Sequence, residues 1–492
     1  MKLTQQTLSE IANRIPCPAY DRRQLKTGIV HIGVGGFHRS HQAYYVHQLL
    51  EAQAATEWGI TGIGLREADR TMNDVMQRQD GLYTLVTQYP DGTAKSEVVG
   101  SIHEYLLAVD TPHLVVDRMA HPDTKIVSLT ITEGGYNFNA TTGEFNLDNP
   151  DVQHEIAHPD EPRTVYGFLT AALRERRANG HPPFTVLSCD NIQHNGAVAR
   201  KMLLTFARHQ DADLADWIAR EVTFPNCMVD RITPVTTNAV TEYLEKEHGL
   251  EDEWCVVCEP YLQWVIEDKF ANGRPSLESL GVQFVPDVTP YETMKIRLLN
   301  AGHSVLGIPG AIHGHPTIDT CMEDAVFARF MRRFMDTEVT PVLEPVPGVD
   351  IEAYKDSLEE RFANPNIKDG VARICAYSSA KLPKFLVPTI RENLDRGGDI
   401  RLGTFILAAW CFYCDKRTNE KGEPLEITDE MQKQLHRAAA GTKEDWTSFL
   451  RQPEIFGDLP ADQRFVEAYT RAAQSVYREG NIRKLMERLL GE

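Results

Sequence analysis

The residues best suited to chemistry in this chain lie at 291–304, Y-E-T-M-K-I-R-L-L-N-A-G-H-S. On a helix at about 100° per residue, with Lys295 at zero, Glu292 falls near 60°, His303 near 80° and Asn300 near 140°. An amine, a carboxylate, an amide and an imidazole thus share one arc with Ile296 and Leu299. Polar groups among Met294, Ile296, Leu298 and Leu299 are costly unless they have a partner or a task. One task fits. Oxidising a secondary alcohol removes a hydride from carbon and a proton from the hydroxyl. A lysine can take that proton if burial lowers its pKa from about 10.4 toward 7–8, a shift of about 3 units or roughly 4 kcal/mol. An amide such as Asn300 can donate to the developing alkoxide. A helix face whose polar groups satisfy one another has the same spacing, so these residues alone leave both readings open.

A hydride needs an acceptor, and residues 29–42 read I-V-H-I-G-V-G-G-F-H-R-S-H-Q. A strand ends at Gly33, a Gly-x-Gly turn follows, and a helix begins beyond Gly36 and Phe37. Gly33 permits the tight turn, Gly35 lets the backbone approach a pyrophosphate, and the helix N-terminus favours the anion. The third glycine of the usual pattern is replaced by His38. The next strand ends before Arg66, Glu67 and Asp69. A carboxylate there can hold the ribose hydroxyls and repel a 2′-phosphate, which points to NAD; Arg66 keeps NADP possible.

These residues must be positioned by a large chain. With 492 residues, two domains are expected. Apolar runs at 28–33, 58–65, 125–132, 184–188 and 282–285 alternate with helical stretches, as in a parallel sheet covered on both faces. From about Tyr291 the apolar periodicity is helical, at 294–306, 327–335, 354–362, 400–415 and 463–490, with a proline-rich loop at 340–349. The expected fold is α/β: a Rossmann-type N-terminal domain with a mostly parallel sheet at 1–286, then an all-helical domain at 287–492. The net charge of −19 argues against nucleic acid or an anionic membrane as partner. The longest apolar run, 405–414, is too short to span a bilayer, and the N-terminus lacks a signal peptide's apolar core. A cytoplasmic protein is expected.

Nine cysteines form no disulfide framework. The pairs Cys255/Cys258 and Cys411/Cys414 enclose apolar residues and read as buried thiols rather than zinc knuckles. Cys189 reads as packing. His313 and His315 read as loop histidines, with no carboxylate at ligand spacing in the same element, and no metal is expected. Trp254, Tyr261 and Trp264 read as core, and the basic run 329–333 as a solvated helix face.

Longer motifs run through the whole chain: H-I-G-V-G-G-F-H-R at 31–39, S-L-T-I-T-E-G-G-Y at 128–136, S-C-D-N at 188–191 and F-P-N-C-M-V-D-R-I-T-P at 224–234. They continue with C-E-P-Y-L-Q-W-V-I-E-D-K-F at 258–270, K-I-R-L-L-N-A-G-H at 295–303 and S-S-A-K-L-P-K-F at 378–385. With them the sequence resembles the polyol-specific long-chain dehydrogenases, the mannitol dehydrogenase family. The resemblance implies NAD-dependent, metal-independent oxidation of a polyol to a ketose, D-mannitol to D-fructose first, at a site between the two domains. D-arabinitol, sorbitol and fructuronate-type substrates are the alternatives within the family. It further implies that Lys295 is the base, that Asn191 and Asn300 stabilise the oxyanion, and that His303, Asp230 and Arg373 hold substrate hydroxyls. Glu292 and Glu133 would relay protons, and a monomer is expected. Many members read N-G-S-H where this chain reads Asn300-Ala301-Gly302-His303, which bears on substrate choice. A different class, a catalytically silent NAD- or zinc-binding regulator, is disfavoured by the intact Lys295, Asn300 and His303.

Overall fold

Short β-branched runs early in the chain form strands, and helices follow them. The computed structural model describes residues 1–53, 55–139 and 143–491. Eleven strands are present among these: β1 (Thr27–Ile32), β2 (Gly59–Gly64), β3 (Tyr83–Gln88), β4 (Ala94–Val99), β5 (Ile102–Leu107), β6 (Ile126–Leu129), β7 (Thr185–Ser188), β8 (Cys227–Asp230), β9 (Val256–Cys258), β10 (Gln263–Glu267) and β11 (Gln283–Val285). The chain divides into two units, Met1–Tyr89 with Thr93–Thr289, and Pro290–Glu492 with Pro90–Gly92.

In the first unit five strands form one sheet in the order β5-β2-β1-β6-β7. Every pairing in it is parallel. The order reverses between β1 and β6, the switch point at whose carboxyl ends such sheets bind ligands. β1, β2, β6 and β7 are buried at every position, as strands covered on both faces must be. One face packs Val30, Val127 and Val186 against the helices Val165–Ala178 and Asn195–Gln210. The other packs Ile29, Ile60 and Ile126 against the helix Gln42–Gln53 and β10. Two smaller mixed sheets, β11-β10-β8 and β4-β3-β9, complete the unit.

Six strands lie outside the runs expected from sequence. β5 carries His103 and Glu104, β4 alternates charged and apolar residues, and β8, β9 and β10 span only three to five residues. Their apolar signal is too brief or too diluted for periodicity to detect.

The second unit is helical among its described residues. The run 405–414 is the buried middle of the helix Arg401–Lys416, with Trp410 packed edge-on against Phe449. Two sequence expectations are corrected here. The helix expected at 463–490 is two helices, Gln463–Glu479 and Ile482–Leu490, because Gly480 adopts φ +62° and the Asn481 side chain caps the second. The expected loop at 340–349 starts with a further turn, Thr340–Val342, that continues the preceding helix through a π turn at Met335–Val339. No helix among the described residues is long and apolar enough to cross a membrane.

Candidate active site

In the first unit the glycine turn sits at the carboxyl end of β1. Gly33 adopts φ +92°, and a Cβ there would lie 2.1 Å from the Thr130 carbonyl oxygen, so only glycine fits. Its N–H donates to Ile63 O at 3.0 Å, and its carbonyl accepts from Thr130 Oγ1 at 2.6 Å. Gly35 caps the helix Gly36–Ser40. A Cβ on Gly35 would meet only Gly33 O at 3.9 Å, and one on Gly36 nothing nearer than 3.7 Å. That open space is the mouth of a groove of about 520 Å³ lined by Gly35, Gly36, Phe37, Met72, Val235 and Trp254. A bare backbone at a helix start beside such a groove fits a dinucleotide's pyrophosphate. Trp254, read from sequence as core, is a wall of this groove.

His38 stands where the third glycine is usual, and the structure shows how the turn tolerates it. Its ring stacks on His31 of β1 with centroids 3.4 Å apart and planes 10° from parallel. A flat aromatic contact thus replaces close backbone packing between helix and strand. His31 bonds Ser128 Oγ and Thr130 Oγ1, each at 2.8 Å. Burial pushes the His31 pKa down to about 3 and that of His38 well below the ordinary value, so both rings are neutral.

Beyond β2 the acidic residues separate. Glu67 is exposed and paired with Arg70, which also grips Asp110 at 2.8 Å. Asp69 turns back: its carboxylate accepts the Arg66 N–H at 2.9 Å and lies under Gly64, where a Cβ would come within 2.7 Å of Asp69 Cβ. Asp69 is therefore the carboxylate at the strand end, while the Arg66 side chain is exposed.

The ends of β6 and β7 are tied by Asp190, to which the sequence analysis gave no role. Its buried carboxylate accepts the N–H of Ile131 at 3.1 Å, the N–H of Thr132 at 2.9 Å and the Tyr136 hydroxyl at 2.8 Å. Burial raises its pKa against these three donors. The clamp holds Thr132, a β-branched residue, at φ +60°, a conformation that needs such outside support. Glu133 follows Thr132 and Asn191 follows Asp190, so one side chain fixes the backbone beside both. An acid at a strand end within S-C-D-N was the available signal. Asp230 closes β8 in a different sheet and is buried.

In the second unit the helix Thr289–Lys295 passes through a π turn at Ile296–Asn300 into the helix Ala301–His313. A π turn takes one extra residue, so later positions lag a regular helix by about 100°. Relative to Lys295, His303 moves to about −20° and Asn300 to about 40°, while Glu292 stays near 60°. The four groups therefore share a narrower arc than regular spacing gives. Lys295 is 7% exposed and Glu292 4%. The Asn300 Oδ1 is buried without a hydrogen-bond partner. The His303 ring packs on Phe362 at 4.2 Å between centroids. Arg297, off this arc, is anchored by Glu392 at 2.7 and 2.5 Å.

Arg373 lies on the short helix Val371–Cys375, which packs on Ala301–His313 where Ile374 meets Gly307. Its guanidinium is held by Asp369, at 2.7 Å for Nε. Lys381, within the 378–385 motif, donates to Ile374 O at 3.1 Å, and burial followed by Arg373 lowers its pKa.

A family model described as the mannitol dehydrogenase Rossmann domain matches residues 27–279, and one for the mannitol dehydrogenase C-terminal domain matches 287–477. The chain belongs to the mannitol dehydrogenase family. A mannitol 2-dehydrogenase of Neosartorya fischeri is 44% identical over 496 residues, 99% of this chain and 98% of that protein. Pseudomonas fluorescens mannitol 2-dehydrogenase, solved as a ternary complex with NAD and D-mannitol, is 45% identical, with a TM-score of 0.89 and 100% of both chains covered. A D-sorbitol dehydrogenase in substrate-free form is 37% identical, with a TM-score of 0.91 and coverage of 98% of this chain and 99% of that one.

In this mannitol dehydrogenase family chain the departure at Gly302 lies in a closely packed place. A Cβ there would lie 2.8 Å from Met335 Cε and 3.2 Å from the Phe362 ring, the same ring that backs His303. All nine cysteines are free thiols, and all but Cys17 are buried. The reading of His313 and His315 as plain loop histidines is corrected: His313 ends a helix, and Asp324 from another element joins both.

Proposed function

We propose that this family member catalyses the reversible NAD-dependent oxidation of D-mannitol to D-fructose, acting as a monomer in the cytoplasm. The observation that carries the reading is the second unit's helix: a buried Lys295 shares its face with Asn300, an amide that can donate to an oxyanion. The identity to an enzyme solved with NAD and D-mannitol supports both cofactor and substrate. Nine unpaired thiols accord with a reducing compartment.

Gly33, Gly35, Gly36 and Phe37 hold the pyrophosphate half of the dinucleotide, and Asp69 faces the adenosine ribose. When bound, the nicotinamide supplies the acceptor for the substrate's hydride. Lys295, buried on its helix, removes the proton from the reacting hydroxyl. The amides of Asn191 and Asn300 steady the oxygen as charge grows on it, uncharged donors that leave the lysine's proton affinity intact. His303, Asp230 and Arg373 hold the remaining hydroxyls. Glu292 and Glu133 pass the proton from Lys295 toward solvent.

The test is a substrate panel followed by NADH absorbance: mannitol, arabinitol, sorbitol, fructose and fructuronate, each with NAD(H) and NADP(H). Mannitol and fructose with NAD(H) should give the highest kcat/KM. Fructuronate reduction that far outpaces fructose reduction would overturn the assignment.

A further inference from the structure

The helix that carries His303 ends at His313, about 15 Å further along at 1.5 Å per residue. Gly314, at φ +93°, turns the chain so that the His315 N–H returns to Gly310 O at 2.9 Å. The two imidazoles end 5.1 Å apart between centroids, both against Phe327. Asp324, which caps the helix Ala325–Phe334 through the Val326 N–H at 2.9 Å, reaches the same point. Ligand atoms of His313, His315 and Asp324 all lie within 4.8 Å of one another.

Two imidazoles and a carboxylate are the donor set of a borderline divalent ion such as zinc, not of magnesium or calcium, which take oxygen. The surroundings suit that role. Glu420 Oε2 lies 2.9 Å from His313 Nδ1, and Glu420 is itself held through Oε1 by the Ile482 N–H at 2.5 Å. A proton on Nδ1 leaves the lone pair on Nε2, the arrangement by which a carboxylate presents an imidazole to a metal. The His315 Nε2 is buried with no hydrogen-bond partner. Asp324 Oδ2 also accepts from Arg483 Nε at 2.7 Å, but each carboxylate oxygen has a second lone pair. Two cations face the cluster, Arg483 and Lys421, whose Nζ lies 3.2 Å from Gly314 O. Against them stand three carboxylates, Asp324, Glu420 and Glu487, the last paired with Arg483. The local balance favours a cation, as does the helix C-terminus at His313.

We propose that His313, His315 and Asp324 form a binding site for a zinc-class divalent cation, with Glu420 orienting His313. The ion would staple the far end of the helix that carries His303 to the start of Ala325–Phe334 and to the turn at Glu420. This position is remote from Lys295 along the helix, so the ion adds stability and takes no part in the oxidation.

The experiment uses tag-free, chelator-stripped full-length protein titrated with zinc against a chromophoric chelator. One zinc per chain should bind in the micromolar range without competition from magnesium, and Tm should rise with zinc. His315→Gln should abolish the binding and the Tm rise while leaving activity in chelator unchanged. Glu420→Gln should weaken the binding by about tenfold. Cobalt(II) added to the unaltered protein should give the visible bands of a nitrogen–oxygen site, a readout that needs no variant. Zinc uptake that is identical in His315→Gln, or no uptake and no cobalt bands in the unaltered protein, would overturn the proposal.

Discussion

Replacing His38 by phenylalanine isolates what the stacked imidazoles do. Both His38 nitrogens are buried and lack a well-formed hydrogen bond, and the ring borders a cavity of about 20 Å³ shared with Gln42, Ser128 and Trp264. Phenylalanine keeps the flat contact with His31, removes two unsatisfied polar atoms and has slack to grow into. The consequence is in the acid limb. A histidine whose folded pKa is depressed stabilises the fold above its unfolded pKa of about 6.5, and that stability is lost as pH falls, because the unfolded chain takes the proton first. His31 falls to about 3 and His38 well below the ordinary value, so at pH 5 neither folded ring is charged. Between pH 7 and pH 5 each ring therefore costs about 2 kcal/mol of stability at 1.36 kcal/mol per pH unit, and the pair about 4 kcal/mol. His38→Phe should cut that loss by about 2 kcal/mol, since every other titrating group is shared. Urea unfolding of both proteins at pH 7 and pH 5, followed by tryptophan fluorescence, measures the difference directly. Equal acid sensitivity in the two proteins would refute the claim that His38 is held neutral by burial. A variant that is several kcal/mol less stable at pH 7 would show that the His38 nitrogens do have partners.

Three further outcomes are expected. Lys295→Ala should lower kcat by about 10²–10⁴, the usual worth of a positioned base, while NADH affinity measured by fluorescence titration stays within about twofold; a large loss of NADH binding would give Lys295 another role. Asp69→Ala should raise the NADP/NAD ratio of kcat/KM by about tenfold and Glu67→Ala should hardly change it, because only Asp69 lies against the strand end; the reverse pattern would mean that Glu67 is the discriminating carboxylate. Gly302→Ser must push back Met335 and the Phe362 ring behind His303, an overpacking cost of about 1–3 kcal/mol. It should change the ratio of mannitol to sorbitol kcat/KM while the KM for NAD holds, and an unchanged ratio would separate Gly302 from substrate choice.

Much of the first unit's sheet was legible because its strands are buried on both faces and read as unbroken apolar runs: 28–33 contains most of β1, and 184–188 contains β7. β5 was not legible, since His103 and Glu104 interrupt it, although it forms one edge of the same sheet. The glycine turn was legible because Gly33 alone fits against the Thr130 carbonyl. The paired reading of Glu67 and Asp69 was not resolvable from sequence, because which carboxylate turns back depends on Arg70, itself held by Asp110, drawing Glu67 outward.

By itself the sequence determined the local items: which residue types recur at strand and helix period, where glycine is obligatory, and which amine, amide and imidazole share one helix. These follow from backbone sterics and from apolar spacing, both of which act over a few residues. Only the tertiary structure decided the rest. It placed the π turn that tightens the arc from Glu292 to His303, the Asp190 clamp across two strand ends, the ring of His31 beneath His38, and the meeting of Asp324 with His313 and His315. Each of these depends on a partner from another element or on a change of helical pitch, and a hydrogen bond or ring contact is set by distance in space, which spacing along the sequence does not encode.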